Sequence, residues 1–338
     1  MTFSDSDIAY MKRALDLARG GAGHVSPNPM VGAVIVAPDG RIIGEGWHRR
    51  FGGPHAEVNA VRSVTDADRH LFPEATMYVT LEPCSHYGKT PPCALLLKEC
   101  GFARVVVACG DPNPKVAGRG IAILRDAGIR VDEGLLRDEA YALNRPFMTA
   151  HRLRRPYVVL KWAQSSDGFM DAVRTDESAG AYRFSTALTS QIVHRRRAMV
   201  DAIAVGARTV LADNPRLDVR LVEGRAPQPI VFDRHGLLRD VTSPLLDRAI
   251  LIGDENLDTV LHSLYSDHGI TSLLVEGGAS LLRSFIDAGL WDDAFVEVSP
   301  ERLGEKWVAK APSLPDVPVG CEYIGDNMIL HYEAPITH

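Results

Sequence analysis

The chain has 338 residues, of which 46% are hydrophobic, 24% charged and 7% aromatic, with a formal net charge of −6. At roughly 100–200 residues per domain this is material for about two domains with a core each, and it excludes long disorder and collagen-like or mucin-like chains. The longest apolar run, residues 31–37, is far shorter than the ~18–20 residues that span a bilayer.

The first residues, Met1-Thr2-Phe3-Ser4-Asp5, lack a basic and then apolar signal pattern, so a cytoplasmic chain without membrane partners is expected. Residues 1–150 balance 17 Lys+Arg against 17 Asp+Glu, and residues 151–338 carry 20 against 26. Neither half has the basic excess that a phosphate backbone requires, which argues against nucleic acid as a partner. Five cysteines are too few for a disulfide scaffold of this size, and four of them, Cys84, Cys93, Cys100 and Cys109, crowd into one segment. Such crowding in a cytosolic chain favours metal or thiol chemistry.

In chain order, Ile8, Met11, Leu15 and Ala18 recur at helical spacing between a cap at Ser4 or Asp5 and a stop at Gly20-Gly21. Two β-branched runs, 31–36 and 42–47, flank Pro38-Asp39-Gly40 and read as a hairpin. A helix from about Ala56, a strand 76–81, a helix from Pro92, a strand 104–109, a helix 120–127 and a short strand 129–131 follow. This alternation predicts a mostly parallel sheet covered on both faces.

After a helix near 135–143, the boundary between domains falls around Asn144-Arg145-Pro146, the basic stretch 152–155 and Pro156, dividing 1–150 from 151–338. The second half reads as a strand 157–161, a helix near 191–199 and strands at 202–205, 229–232 and 249–252. A helix 257–266, a strand 272–275 running through Glu276-Gly277-Gly278 into another helix, and strands 293–298 and 327–332 complete a second α/β unit. It is no repeat of the first.

The strongest local signal is His55-Ala56-Glu57 followed by Pro83-Cys84, eight residues and Cys93. One imidazole and two thiolates suit Zn²⁺ and leave a fourth tetrahedral position open, the mark of a catalytic site. Pro92 at a first helical position puts Cys93 in a helix N-terminal turn, where exposed N–H groups favour the thiolate. Glu57 is near enough to act as a proton shuttle between water and a leaving amine. A structural zinc site would need a fourth ligand, for which His86, Cys100 and Cys109 are candidates, but H-x-E with P-C…C is the pattern of zinc deaminases. Those enzymes usually have two residues between the cysteines. The longer insertion here presents Lys89 ahead of a helix N-terminus, a place for a phosphate or simply a solvated lysine. Asn28 offers a donor and an acceptor to a pyrimidine edge, and is equally at home in a turn.

In the second half the motifs are weaker one by one. Val275-Glu276-Gly277-Gly278-Ala279-Ser280-Leu281 carries a strand through two glycines into a helix, a geometry that lets a dinucleotide phosphate reach backbone N–H groups or that merely turns the chain. Leu160-Lys161-Trp162-Ala163-Gln164-Ser165-Ser166-Asp167-Gly168 and Gly206-Ala207-Arg208-Thr209-Val210-Leu211-Ala212-Asp213-Asn214-Pro215 place polar groups at a strand end and a helix–loop junction.

Together with Gly46-Trp47-His48, the 26–32 segment and Asp111-Pro112-Asn113-Pro114-Lys115-Val116-Ala117-Gly118-Arg119-Gly120, these motifs resemble the bifunctional riboflavin-biosynthesis deaminase/reductase family over nearly the whole chain. The resemblance implies an α/β chain with a cytidine-deaminase-like three-layer domain followed by a dihydrofolate-reductase-like α/β domain. It implies zinc hydrolytic deamination of 2,5-diamino-6-(5-phosphoribosylamino)pyrimidin-4(3H)-one, then NADPH-dependent reduction to 5-amino-6-(5-phosphoribitylamino)uracil. Zinc falls to His55, Cys84 and Cys93, proton transfer to Glu57, and the deaminase substrate to Asn28, His48 and Lys89. NADPH falls to Ala163, Ala187, Thr209, Asp213, Arg234, Gly278, Ala279, Ser280 and Leu281, and the reductase substrate to Lys161, Ser185, Arg197, Leu217, Arg220 and Glu276. Lys161 and Asp213 are both candidates for the acid that completes the reduction.

Two departures from the family pattern stand out: Ser166 where Leu is common in Ser-Leu-Asp-Gly, and Ala187 where a Trp is usual. The competing readings are a nucleic-acid or nucleoside deaminase with an accessory or inactive second domain, and a non-catalytic zinc-stabilised protein. Assembly into a homo-oligomer is open to the chain.

Overall fold

The computed structural model describes residues 2–87, 91–112, 117–173, 182–305, 307–314 and 317–334, with only the backbone of Trp307 and Val308. Two compact units divide it, Met1–Leu153 and Arg154–His338.

The first unit opens with α1 (Asp5–Arg19), set by a capping box: the Ser4 hydroxyl accepts from the Asp7 N–H at 3.1 Å and the Asp7 carboxylate accepts from the Ser4 N–H at 3.0 Å. There follow β1 (Gly32–Val36), β2 (Ile42–Trp47), α2 (Ala56–Ser63), β3 (Thr76–Val79), α3 (Cys93–Cys100), β4 (Arg104–Val107), α4 (Arg119–Asp126), β5 (Arg130–Glu133), α5 (Arg137–Leu143) and α6 (Arg145–Leu153).

The strands lie in the order β2-β1-β3-β4-β5. β1 is antiparallel to both β2 and β3, and only β3–β4 and β4–β5 run parallel, so the sheet is mixed where the alternation of elements predicted a mostly parallel one. The hairpin is the reason: it reverses β1 before the first crossover begins.

Side chains alternate across this sheet and make three layers. Ala33, Ile35, Met77, Val79, Val105 and Val107 pack with α2, α3 and α4. Val34, Val36, Tyr78 and Val106 pack with α1, α5 and α6. The layers touch closely enough to demand glycine: a Cβ at Gly46 would lie 2.2 Å from the Ala60 nitrogen, and one at Gly32 would lie 2.0 Å from the Ala14 carbonyl oxygen. Helix α6 replaces the expected irregular boundary, because Pro146 falls in its first turn, where a missing N–H costs nothing.

In the second unit come β6 (Tyr157–Gln164), β7 (Phe169–Ala172), α7 (Ala187–Ala198), β8 (Ala202–Gly206), α8 (Ala207–Asp213), β9 (Gln228–Phe232), β10 (Ile250–Ile252), α9 (Leu257–Ser266), β11 (Ser272–Val275), α10 (Ala279–Asp287), β12 (Asp293–Val298), β13 (Trp307–Lys310), β14 (Gly320–Ile324) and β15 (Asn327–Glu333). Eight strands form one sheet in the order β10-β9-β8-β11-β6-β12-β15-β14, the first six parallel and β15 antiparallel to both its neighbours. β7 and β13 make a separate antiparallel ribbon.

Helix α7 begins four residues ahead of its predicted start because Thr186 caps it, its hydroxyl accepting from the Thr189 N–H at 3.2 Å. Buried residues pack on both faces of the large sheet. Among the described residues, no helix is long and apolar enough to cross a membrane.

Candidate active sites

His55 caps α2 with extended backbone, which puts Glu57 in the first helical turn, where it is buried. Cys84 follows β3, and Cys93 is the first residue of α3, with Pro92 in the cap position rather than inside the helix as predicted. The first-turn N–H of Cys93 donates to the Cys84 sulfur at 3.2 Å, so the helix start supports a thiolate at Cys84 rather than at Cys93 as expected.

His55 Nδ1 lies 3.6 Å from Cys84 Sγ and 3.4 Å from Cys93 Sγ. A tetrahedral zinc with Zn–S of ~2.3 Å and Zn–N of ~2.0–2.1 Å separates neighbouring N and S ligands by about 3.5–3.6 Å, so these three atoms fit one ion. They form a group with mutual separations under 4.8 Å, and among the described residues neither His86, Cys100 nor Cys109 joins it.

The charges are coupled. A hydrogen bond from the Cys93 thiol, with help from His55, lowers Cys84 well below the ordinary thiol value and favours its thiolate. Cys93 rises in return, as the thiol that donates to that thiolate. Burial pushes Glu57 up to about 7, and the Cys84 charge adds to the rise. A carboxyl poised there can both take and release a proton near neutral pH.

Beside this cluster, the His48 ring stands edge-on to His55, centroids 5.4 Å apart. Its Nδ1 is 3.0 Å from the Pro54 carbonyl oxygen and its Nε2 is 3.2 Å from Asn28 Nδ2. A carbonyl only accepts, so Nδ1 carries the proton and Nε2 accepts from the Asn28 amide. Burial lowers the His48 pKa and favours this neutral form. Lys89 lies outside the described residues.

Sequence reasoning missed Glu82. Its buried carboxylate accepts from the N–H groups of Gly118 and Gly120, each at 3.0 Å, capping α4 and tying that helix to the segment after β3 that carries Cys84. A Cβ at Gly120 would lie 1.9 Å from the Pro83 carbonyl oxygen. The signal was Glu82-Pro83-Cys84 itself, an acid two residues from a candidate ligand.

In the second unit, Lys161 and Ala163 lie on β6 and Glu276 directly follows β11. Val275 pairs with Leu160, so Glu276 and Lys161 succeed them side by side. Arg197, near the end of α7, grips Glu276 with two hydrogen bonds, Nε to Oε1 at 3.0 Å and Nη2 to Oε2 at 2.6 Å, and donates through Nη1 to the Asp218 carbonyl at 3.2 Å. Ser185 and Lys161 meet through a residue not predicted, Glu297.

Ala187 opens α7, and Thr209 and Asp213 are on α8. Gly278 caps α10 and supplies no side-chain acceptor to that helix's first turn, which holds Ala279, Ser280 and Leu281. A Cβ on Gly278 would come within 3.5 Å of the Thr209 hydroxyl, so the β8–α8 and β11–α10 junctions meet. Free N–H groups at such a helix start fit a dinucleotide phosphate.

Leu217 is buried with φ +48°. The Arg220 N–H donates to His194 Nδ1 at 3.1 Å, and its half-exposed guanidinium pairs with Asp218. Arg234 pairs with Asp254 at the surface at 2.5 Å.

Two family models match the chain: the cytidine and deoxycytidylate deaminase zinc-binding region over residues 4–109, and the RibD C-terminal domain over residues 156–317. The riboflavin biosynthesis protein RibD of Aquifex aeolicus is 37% identical over 88% of each chain. That of Escherichia coli is 39% identical over 88% of this chain and 89% of its own. The crystal structure of a diaminohydroxyphosphoribosylaminopyrimidine deaminase/5-amino-6-(5-phosphoribosylamino)uracil reductase from Thermotoga maritima is similar with a TM-score of 0.85 and 37% identity, over 98% of this chain and 99% of that one. An Acinetobacter baumannii RibD structure gives a TM-score of 0.88 at 35% identity over the same shares. The chain therefore belongs to the RibD family, bifunctional deaminase/reductases of riboflavin biosynthesis, with a cytidine deaminase-like domain first and a RibD reductase domain second.

Proposed function

We propose that the first unit hydrolyses the amino group of 2,5-diamino-6-(5-phosphoribosylamino)pyrimidin-4(3H)-one, and that the second reduces the product with NADPH to 5-amino-6-(5-phosphoribitylamino)uracil. The observation that carries the first step is the spacing of His55 Nδ1 from the two sulfurs, 3.6 and 3.4 Å, next to a buried Glu57. His55, Cys84 and Cys93 hold Zn²⁺, which when bound supplies a Lewis acid and ionises water near neutral pH. Glu57 accepts the proton of the attacking water and passes it to the leaving amine, so that a C–O bond replaces C–N and ammonia departs. Asn28, its amide turned by His48, binds the pyrimidine edge, and Lys89 binds the phosphate.

In the second unit, bound NADPH supplies the hydride that opens the ribosyl group to a ribityl chain. Thr209, Asp213, Arg234 and residues 278–281 hold the dinucleotide, the phosphate lying on the first turn of α10, with Ala163 and Ala187 packing beside it. Lys161, Ser185, Arg197, Leu217, Arg220 and Glu276 take the pyrimidine substrate, and either Lys161 or Asp213 provides the proton. Thiolate ligands stay reduced in the cytoplasm, where we place the enzyme.

Incubating the zinc-loaded chain with the diaminopyrimidine phosphate, with and without NADPH, tests the reading by product mass. Exchange of one amino group for oxygen is expected without NADPH, and the further gain of two hydrogens with it. An unaltered substrate under both conditions contradicts it.

A further inference from the structure

Glu297 lies on β12, an interior strand of the large sheet, and is only 2% exposed. A carboxylate is costly to bury unless its oxygens are filled. Here three elements fill them. Oε2 accepts from the Ser185 hydroxyl at 2.5 Å, ahead of α7. Oε1 accepts from Asn327 Nδ2, on β15, at 2.7 Å, and the same amide group donates to the Phe184 carbonyl at 2.9 Å. Lys161 Nζ, on the neighbouring β6, stands 3.6 Å from Oε2. Burial by itself would raise the Glu297 pKa, but the Lys161 charge and the hydrogen bonds from Ser185, Thr189 and Asn327 bring it below the ordinary glutamate value. Lys161 and Glu297 also border a small cavity beneath α7, with Thr189, Arg196 and Phe295 around it.

A buried acid is costly to remove wherever buried partners depend on it, so what it holds matters more than its burial. This one binds two side chains, Lys161 and Ser185, that the proposed function gives to the reductase substrate.

We propose that Glu297 is a positioning residue of the reductase: it holds the Ser185 hydroxyl and the Lys161 ammonium in place for the pyrimidine substrate, while Asn327 fixes the carboxylate from the far side. The inference rests on the reading of the second unit as the reductase with those two contacts.

Glu297→Gln in the full chain keeps an oxygen for Asn327 but turns an NH₂ group toward Ser185 and Lys161. The expected result is a rise of about 10-fold in KM for the deaminated pyrimidine, with KM for NADPH and ammonia release from the first unit within about twofold of wild type. Glu297→Asp, which retains the charge at shorter reach, gives a smaller rise and serves if the glutamine variant fails to fold. Because Glu297 acts through Ser185, the Ser185→Ala/Glu297→Gln double variant exceeds the worse single variant by no more than about twofold. An unchanged pyrimidine KM, equal rises in both KM values, or multiplicative effects in the double variant overturn the proposal. A wild-type chain that oxidises no NADPH when given the deaminated substrate overturns the reductase reading as well, an outcome separate from the other three.

Discussion

Arg197 and Glu276, 79 residues apart in sequence, hold each other in a two-pronged ion pair whose side chains are only 13% and 10% exposed. With Nη1 on the Asp218 carbonyl as well, all three guanidinium nitrogens have an acceptor, so Arg197 is built into the site wall before any substrate arrives. Removing one partner strands the other charge in the interior. Glu276→Gln is expected to destabilise the second unit by about 3 kcal/mol, the size of a broken buried pair, and to suppress NADPH oxidation. Calorimetry and a reductase assay check this. Arg197→Lys, which cannot reach both oxygens in the same plane, should fall between wild type and Glu276→Gln.

The role proposed for Glu57 is proton transfer rather than metal binding. Glu57→Gln is therefore expected to lower ammonia release by about 10²–10⁴-fold while zinc content and NADPH oxidation on the deaminated substrate stay at wild-type levels. Metal analysis alongside the two activity assays reads this directly. A parallel loss of zinc would place Glu57 among the ligands instead.

Asp7 joins α1 to the sheet: its carboxylate accepts from Tyr78 at 2.7 Å and Arg104 at 2.6 Å as well as from Ser4. Burial opposes ionisation, but Arg104, Tyr78 and Ser4 together hold the Asp7 carboxyl well below the usual carboxylate range. A depressed folded pKa contributes stability that is present above the unfolded value of ~3.9 and is lost as pH falls through the folded value. Asp7→Asn is expected to cost about 2 kcal/mol at pH 7 and to flatten the fall of Tm below pH ~4. A Tm series in acid for both proteins provides the check.

The cluster of His55, Cys84 and Cys93 was legible because each residue carries local context: His55 and Glu57 share a helix start, and Pro83 and Pro92 each stand directly before a cysteine. α1 was legible for the same reason, through Ser4 and Gly20. Strand direction was not, since alternating helices and strands do not say which way β1 faces β3. β14 escaped notice because Cys321, Glu322 and Tyr323 are all exposed and give no apolar alternation. α6 was hidden by Pro146, which reads as a breaker until it is seen to sit in a first turn. Glu297 lay in Val296-Glu297-Val298, which reads as a strand with one face in water. Only the third dimension brings Ser185 and Asn327 to it.

The central claim is one zinc on His55, Cys84 and Cys93, with a coordination position left for water. X-ray absorption at the zinc edge of the purified chain, with metal counted by mass spectrometry, tests it most directly. One zinc per chain is expected, with two sulfurs at ~2.3 Å and N/O ligands at ~2.0–2.1 Å, one of which exchanges for an added small anion. Ammonia release by a chain stripped of metal, or a zinc shell of protein atoms that no small ligand can enter, would contradict it.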